Sequence, residues 1–165
     1  MDHPPNILLV IDDQEPQRKP FRGVGTSPSG GEIVRIVEAA SGEEGLAIFQ
    51  SRNDIGYVVC DVHMEGIDGF TTIKRMAEHD YKKFQRATVF MMCTETCEHG
   101  PSNASTHTHT HTHTRQNWLL KPVNPALFSR LLLKDYNTKM QTFRNSNDVG
   151  DEVADNPRDP ENISE

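Results

Sequence analysis

Five short apolar runs, each bounded by polar or turn-forming residues, set the rhythm of the chain. Ile7-Leu8-Leu9-Val10-Ile11 is continuous and rich in β-branched residues, the pattern of a strand buried on both faces, as in a parallel sheet. Ile33 to Val37 reads as a second strand, Tyr57 to Cys60 as a third, Thr88 to Met92 as a fourth and Trp118 to Leu120 as a short fifth. Helical signals stand between them. Ser41-Gly42-Glu43-Glu44 fits a capping box, with Ser41 as N-cap and Glu44 reaching back, and opens a helix that turns Leu46 and Phe49 inward. Phe70, Ile73, Met76 and Ala77 repeat at helical spacing. Asn124-Pro125 supplies an N-cap and a proline at the first helical position. The helix that follows is expected to bury Leu127, Phe128, Leu131 and Leu132. Strands alternating with helices predict an α/β fold built on a parallel sheet with right-handed crossovers.

Two stretches break the rhythm. Between Gln14 and Gly31, where a crossover helix belongs, Pro16, Pro20, Gly23, Gly25, Pro28, Gly30 and Gly31 intervene. Pro16 suits a first turn, but Pro20 has no N–H to bond back and clashes one turn later, so at most a short helix survives. Residues 95–116 have no apolar periodicity and contain a Thr-His alternation from Thr106 to Thr114, the mark of a low-complexity insert. The expected organisation is one domain over residues 1–144, with that insert at 95–116, and an acidic disordered tail at 145–165.

Charge supports this division. The 165-residue chain has a formal charge of −7, and from Asn145 onward seven acids face the single base Arg158. The body is therefore close to neutral, which argues against a nucleic-acid binder needing a basic face. The apolar run near the start is far too short for a membrane span or a signal-peptide core. Three cysteines, Cys60, Cys93 and Cys97, form no CxxC pair and no disulfide framework, which points to a reducing, cytoplasmic setting.

The chemistry gathers at strand ends. In an open parallel sheet, ligands bind beyond the carboxyl ends of the strands, where the strand order reverses. Asp12 and Asp13 close the first strand, Asp61 closes the third, and Lys121 follows the fifth. Three carboxylates converging on one crevice repel each other unless a hard divalent cation sits among them. Mg²⁺ suits such oxygen donors, with water and a phosphate oxygen completing its shell. A lysine opposite neutralises the remaining phosphoryl charge. The combination describes phosphoryl transfer to or from an aspartate. A blander reading has Asp12-Asp13 capping a helix and Lys121 as a solvated base, but four such residues at strand ends weigh against it.

Three segments carry a family resemblance: Asn6 to Asp13, Cys60-Asp61-Val62-His63-Met64-Glu65-Gly66-Ile67-Asp68-Gly69-Phe70, and Trp118-Leu119-Leu120-Lys121-Pro122. Over roughly Asn6 to Leu133 the chain resembles the receiver domain of two-component response regulators, and the last segment, continued through Val123-Asn124-Pro125, looks especially like stand-alone chemotaxis-type receivers. The resemblance implies a doubly wound, flavodoxin-like sheet of five parallel strands in the order 2-1-3-4-5, here with the first and fourth crossover helices shortened or lost. It implies that Asp61 accepts a phosphoryl group from a sensor histidine kinase or phosphotransfer protein. Asp12, Asp13, Asp61 and the backbone carbonyl of His63 would hold Mg²⁺, and Lys121, whose peptide bond to Pro122 is often cis in this family, would pair with the phosphoryl group. Trp118 falls at the aromatic position whose rotamer reports phosphorylation.

The chain also departs from the family pattern. The switch hydroxyl at the end of the fourth strand falls on Cys93 or Thr94, according to the alignment; Thr94 is favoured because a thiol is a poor donor. Glu65 stands where the family usually has proline. His63 contributes either its carbonyl alone or also a side chain that modulates dephosphorylation. The four histidines from His107 to His113 are either a metal-chelating run or a tolerated repeat expansion. Asn103-Ala104-Ser105 and Asn162-Ile163-Ser164 match the glycosylation pattern, which a cytosolic chain leaves bare.

The expected function is a stand-alone phosphoacceptor that signals by docking on a downstream protein. It would catalyse only its own phosphorylation and dephosphorylation, and would not be an enzyme in the turnover sense. A phosphorylation-independent pseudo-receiver, acting as an adaptor, is the alternative. A phosphatase using Asp61 as nucleophile would want an acid two residues later, where His63 stands.

Overall fold

The central β-branched runs form strands because they are covered on both faces. In the computed structural model, which describes residues 5–26, 31–94 and 117–148, β1 (Ile7–Ile11) and β3 (Ile55–Asp61) are buried along their whole length. β2 (Arg35–Ala39), β4 (Thr88–Cys93) and β5 (Asn117–Leu120) complete one sheet, all parallel, in the order β2-β1-β3-β4-β5. The predicted doubly wound topology is present.

The helices are α1 (Glu15–Arg18), α2 (Gly42–Ser51), α3 (Gly69–His79), α4 (Tyr81–Arg86) and α5 (Pro125–Asp148). α1 is a single turn opened by Pro16, followed by a 3-10 turn at Lys19–Phe21 that takes Pro20 in its first positions. The prolines thus shorten the first crossover helix as their geometry requires. Phe21 and Val24 cover the sheet where that helix would have lain. Phe21 meets Phe128 edge-on at 5.1 Å between ring centroids, and Phe128 meets Phe90 at 5.2 Å. On the other face, Phe49 of α2 and Ile73 and Met76 of α3 close over β1, β3 and β4.

Four local expectations need correction. The second strand begins at Arg35, not Ile33. Ile33 and Val34 are buried but donate both N–H groups to the Gly25 carbonyl, and pairing with β1 starts only at Arg35. The Ser41 side chain accepts from Glu44 N–H at 3.1 Å as the capping box requires, but Glu44 reaches back to the amide of Ala40 (2.7 Å) rather than to that of Ser41. α5 buries Phe128 and Leu132, whereas Leu127 and Leu131 are 57% and 40% exposed. Two adjacent stripes on one helix cannot both face the sheet. Finally, α4 was not foreseen; Asp80 ends α3 and caps α4, accepting from Lys83 N–H at 2.9 Å.

α5 continues to Asp148, a little beyond the boundary expected at Asn145. The predicted loss of the fourth crossover helix, the Thr-His run, Cys97, both glycosylation motifs and most of the acidic tail lie outside the described residues. Among the described residues no helix is long and apolar enough to cross a membrane.

Candidate functional site

Parallel strands deliver their ends to one edge, and three of them deliver charge. Asp12 leaves β1, with its N–H donating to the Ala39 carbonyl of β2 at 3.2 Å. Asp61 is the last residue of β3. Lys121 follows β5, anchored by its N–H to the Cys93 carbonyl at 2.8 Å, and its bond to Pro122 is cis. The Lys121 ammonium reaches Asp12 Oδ2 at 2.7 Å and Asp61 Oδ1 at 2.9 Å. Asp12, Asp13 and Asp61 each place a carboxylate oxygen within 4.8 Å of the others. The predicted quartet does converge.

Burial sharpens its electrostatics. Asp12 is fully buried, Asp61 is 4% exposed, and Asp13 alone is open to solvent. Burial pushes the Asp61 carboxyl above the ordinary carboxylate range; neighbouring Asp12 adds to this, while Lys121 and the His63 backbone amide oppose it. Burial would by itself pull the Lys121 ammonium down, but Asp12 and Asp61 outweigh it and hold Lys121 above its usual value. One ammonium does not neutralise three carboxylates, so the pocket keeps a surplus of negative charge. All-oxygen, partly buried donors fit a hard divalent cation such as Mg²⁺ and offer nothing to a soft metal.

The surrounding loops hold these groups through backbone amides. Asp12 Oδ1 accepts from Gln14 N–H at 2.8 Å, and Asp13 Oδ2 from Glu65 N–H at 3.1 Å. Proline at position 65 would have no N–H to donate, so the departure from the family pattern gives Asp13 an additional partner. Glu43 accepts from Ile67 N–H at 3.1 Å, and Gly66 passes its carboxylate at φ +84°, a conformation in which a side chain would be both strained and crowded. Gly69 lets α3 begin directly against the Asp61 carbonyl, where a Cβ would fall inside van der Waals contact.

The remaining predicted residues lie around the rim. His63 is exposed, two residues beyond Asp61. Cys93, the last residue of β4, is buried in the apolar cluster against which Trp118 packs, whereas Thr94 follows it and is exposed. Trp118 lies on β5 opposite Met91, its ring 6.2 Å from that of Phe70 at 64°. The sequence reading missed two groups. Arg18 Nη1 donates to the Asp12 carbonyl at 2.7 Å, and the Glu65 amide holds Asp13. Neither contact has a periodic signal, because each depends on how loops fold back onto the strand end.

The fold and the site together are a doubly wound parallel sheet with a carboxylate-lysine pocket at its carboxyl edge. The response regulator receiver domain family matches residues 8–132, and the chain belongs to that family. Similar solved structures agree on the fold. The Vibrio cholerae chemotaxis protein CheY4 is 22% identical, with a TM-score of 0.60, over 78% of this chain and 97% of that one. A CheY-like receiver domain protein of Methanospirillum hungatei is 21% identical with a TM-score of 0.57, over 85% and 98%. A response regulator receiver protein of Pseudomonas putida is 19% identical with a TM-score of 0.61, over 80% and 98%. A search of curated proteins returned no match.

Proposed function

We propose that this receiver domain accepts a phosphoryl group on Asp61 from the phosphohistidine of a sensor kinase or phosphotransfer protein, and signals by docking on a downstream protein. The observation that supports this most is the contact of a single ammonium with both Asp12 and Asp61 inside a pocket that retains excess negative charge. In the transfer, an Asp61 carboxylate oxygen forms a bond to phosphorus as the P–N bond to the donor imidazole breaks, and the imidazole leaves with the bonding pair. Such a loose transition state asks mainly for positioning and charge neutralisation.

Each group has a separable task. Asp61 is the nucleophile, held at the strand end by the His63 amide and Lys121. Lys121 is able to turn from its carboxylate partners to the incoming phosphoryl oxygens, for which it acts as a point cation. Asp12, Asp13, Asp61 and the His63 carbonyl would hold Mg²⁺, which when bound offsets negative charge on the phosphoryl group. Thr94 would supply the hydroxyl that senses the phosphorylated state, and Trp118 would report it.

Acetyl phosphate with Mg²⁺ tests the reading without needing the natural kinase. Intact-mass analysis is expected to show a single added phosphoryl group in the wild type and none in Asp61→Asn, together with a change in Trp118 fluorescence. Absence of the adduct under these conditions would instead favour a phosphorylation-independent adaptor.

A further inference from the structure

The first crossover carries only a single α-helical turn and a 3-10 turn, and every polar group of Asp12 beside it is bonded. Its amide, its carbonyl and both carboxylate oxygens all have partners, namely Ala39, Arg18, Gln14 and Lys121. The carbonyl bond is the unusual one. Arg18 comes from the single turn of α1, and its side chain is only 12% exposed. While Nη1 donates to the Asp12 carbonyl, Nε donates to Glu38 Oε2 of β2 at 3.0 Å. Arg22 then closes on the same carboxylate, at 2.5 Å to Oε1 and 3.0 Å to Oε2. Bonds from Arg22, joined by Arg18, outweigh the effect of burial and hold Glu38 ionised down to about pH 2.

This bracket bears on the cation ligands through the backbone. The Asp12 carbonyl belongs to the planar peptide unit that joins Asp12 to Asp13. A bond that holds the plane therefore restrains the positions of the two Cα atoms from which both carboxylates project. A guanidinium meets the carbonyl and Glu38 with two donors fixed in one plane, whereas an ammonium is a compact point charge without that rigid fork.

We propose that Arg18, held in place by Glu38, is a positioning residue for the cation ligands Asp12 and Asp13. The inference rests on the phosphoacceptor reading of the site and extends it to residues outside the pocket. Groups that orient metal ligands typically change metal affinity by about 10- to 100-fold when removed, and the lower end is expected here.

Calorimetric Mg²⁺ titration of the whole chain, paired with urea unfolding, tests it. Arg18→Met is expected to weaken Mg²⁺ binding about tenfold, with Arg18→Lys recovering part of the loss. Glu38→Gln, which leaves the arginine intact but unsupported, should weaken binding in the same direction and keeps the test valid if Arg18→Met does not fold. Arg52→Gln removes an ion pair with Asp54 (2.8 Å) at the amino edge of the sheet, opposite the pocket, and should leave affinity unchanged. Wild-type affinity in Arg18→Met or Glu38→Gln, even with reduced stability, overturns the proposal and leaves the phosphoacceptor reading standing. A wild type that binds no Mg²⁺ overturns both.

Discussion

Replacing Lys121 with methionine isolates the electrostatic problem at the centre of the pocket. The ammonium sits 2.7 Å from Asp12 and 2.9 Å from Asp61, with only 11% of its side chain exposed. At an effective dielectric of about 20, each contact is worth about 6 kcal/mol of Coulomb attraction, most of it offset by desolvating the three groups. Removing one partner of a buried ion pair typically costs about 3–5 kcal/mol, because the remaining charges stay buried and uncompensated. That range is the predicted loss for Lys121→Met, read from urea unfolding at pH 7 without divalent cations. Two further readings separate this cause from simple loss of packing. The Asp61 carboxyl is already raised in the folded state and rises further without lysine. A carboxyl whose folded value exceeds its unfolded one penalises folding when ionised, and the penalty fades as pH falls toward the unfolded value. The deficit should therefore narrow on acidification. Mg²⁺ should narrow it as well, since the variant pocket is more negative and binds the cation more tightly than the wild type. Equal stability of variant and wild type, or a deficit indifferent to both pH and Mg²⁺, would refute the reasoning.

Other substitutions probe separate parts of the account. With Thr94 as the site's hydroxyl, Thr94→Ala should abolish the Trp118 fluorescence change on acetyl phosphate treatment while Cys93→Ala preserves it; the reverse pattern would assign the role to Cys93. Gly69→Ala places a methyl group against the Asp61 carbonyl and should destabilise the protein by about 1–3 kcal/mol in thermal or urea unfolding, whereas a neutral result would show that α3 can retreat without cost.

What was legible beforehand follows from the kind of force each element depends on. Ile7–Ile11 and the run around Val58 and Val59 are strands that any parallel sheet would bury on both faces, so their composition identifies them. Pro16 and Pro20 act through their own rings and limit α1 whatever the tertiary context. Asp12, Asp13, Asp61 and Lys121 were found because strand ends in such a sheet share one edge, so position along the chain implies position in space. The failures lie where two local solutions are equally good. Ile33 and Val34 have strand composition, but their N–H groups are taken by Gly25, and only that long-range closure delays β2 to Arg35. Leu127 and Leu131 repeat at the same spacing as Phe128 and Leu132, and periodicity cannot select which stripe meets Phe21 and Phe90. Lys83 is buried, its ammonium donating to the Phe49 carbonyl and lying 4.4 Å above the Phe49 ring, so a residue normally assigned to solvent caps the end of α2. The Arg18–Glu38–Arg22 bracket is invisible for a related reason, since ion pairs spanning a crossover leave no pattern in neighbouring residues.

Magnesium affinity tests the central claim most directly. Titration of the wild type, Asp13→Asn and Asp61→Asn by calorimetry is expected to show binding in the wild type and at least a tenfold loss in each variant, about 1.4 kcal/mol or more. Identical affinities across the three proteins, or no binding by the wild type, would contradict the claim that these carboxylates share one cation.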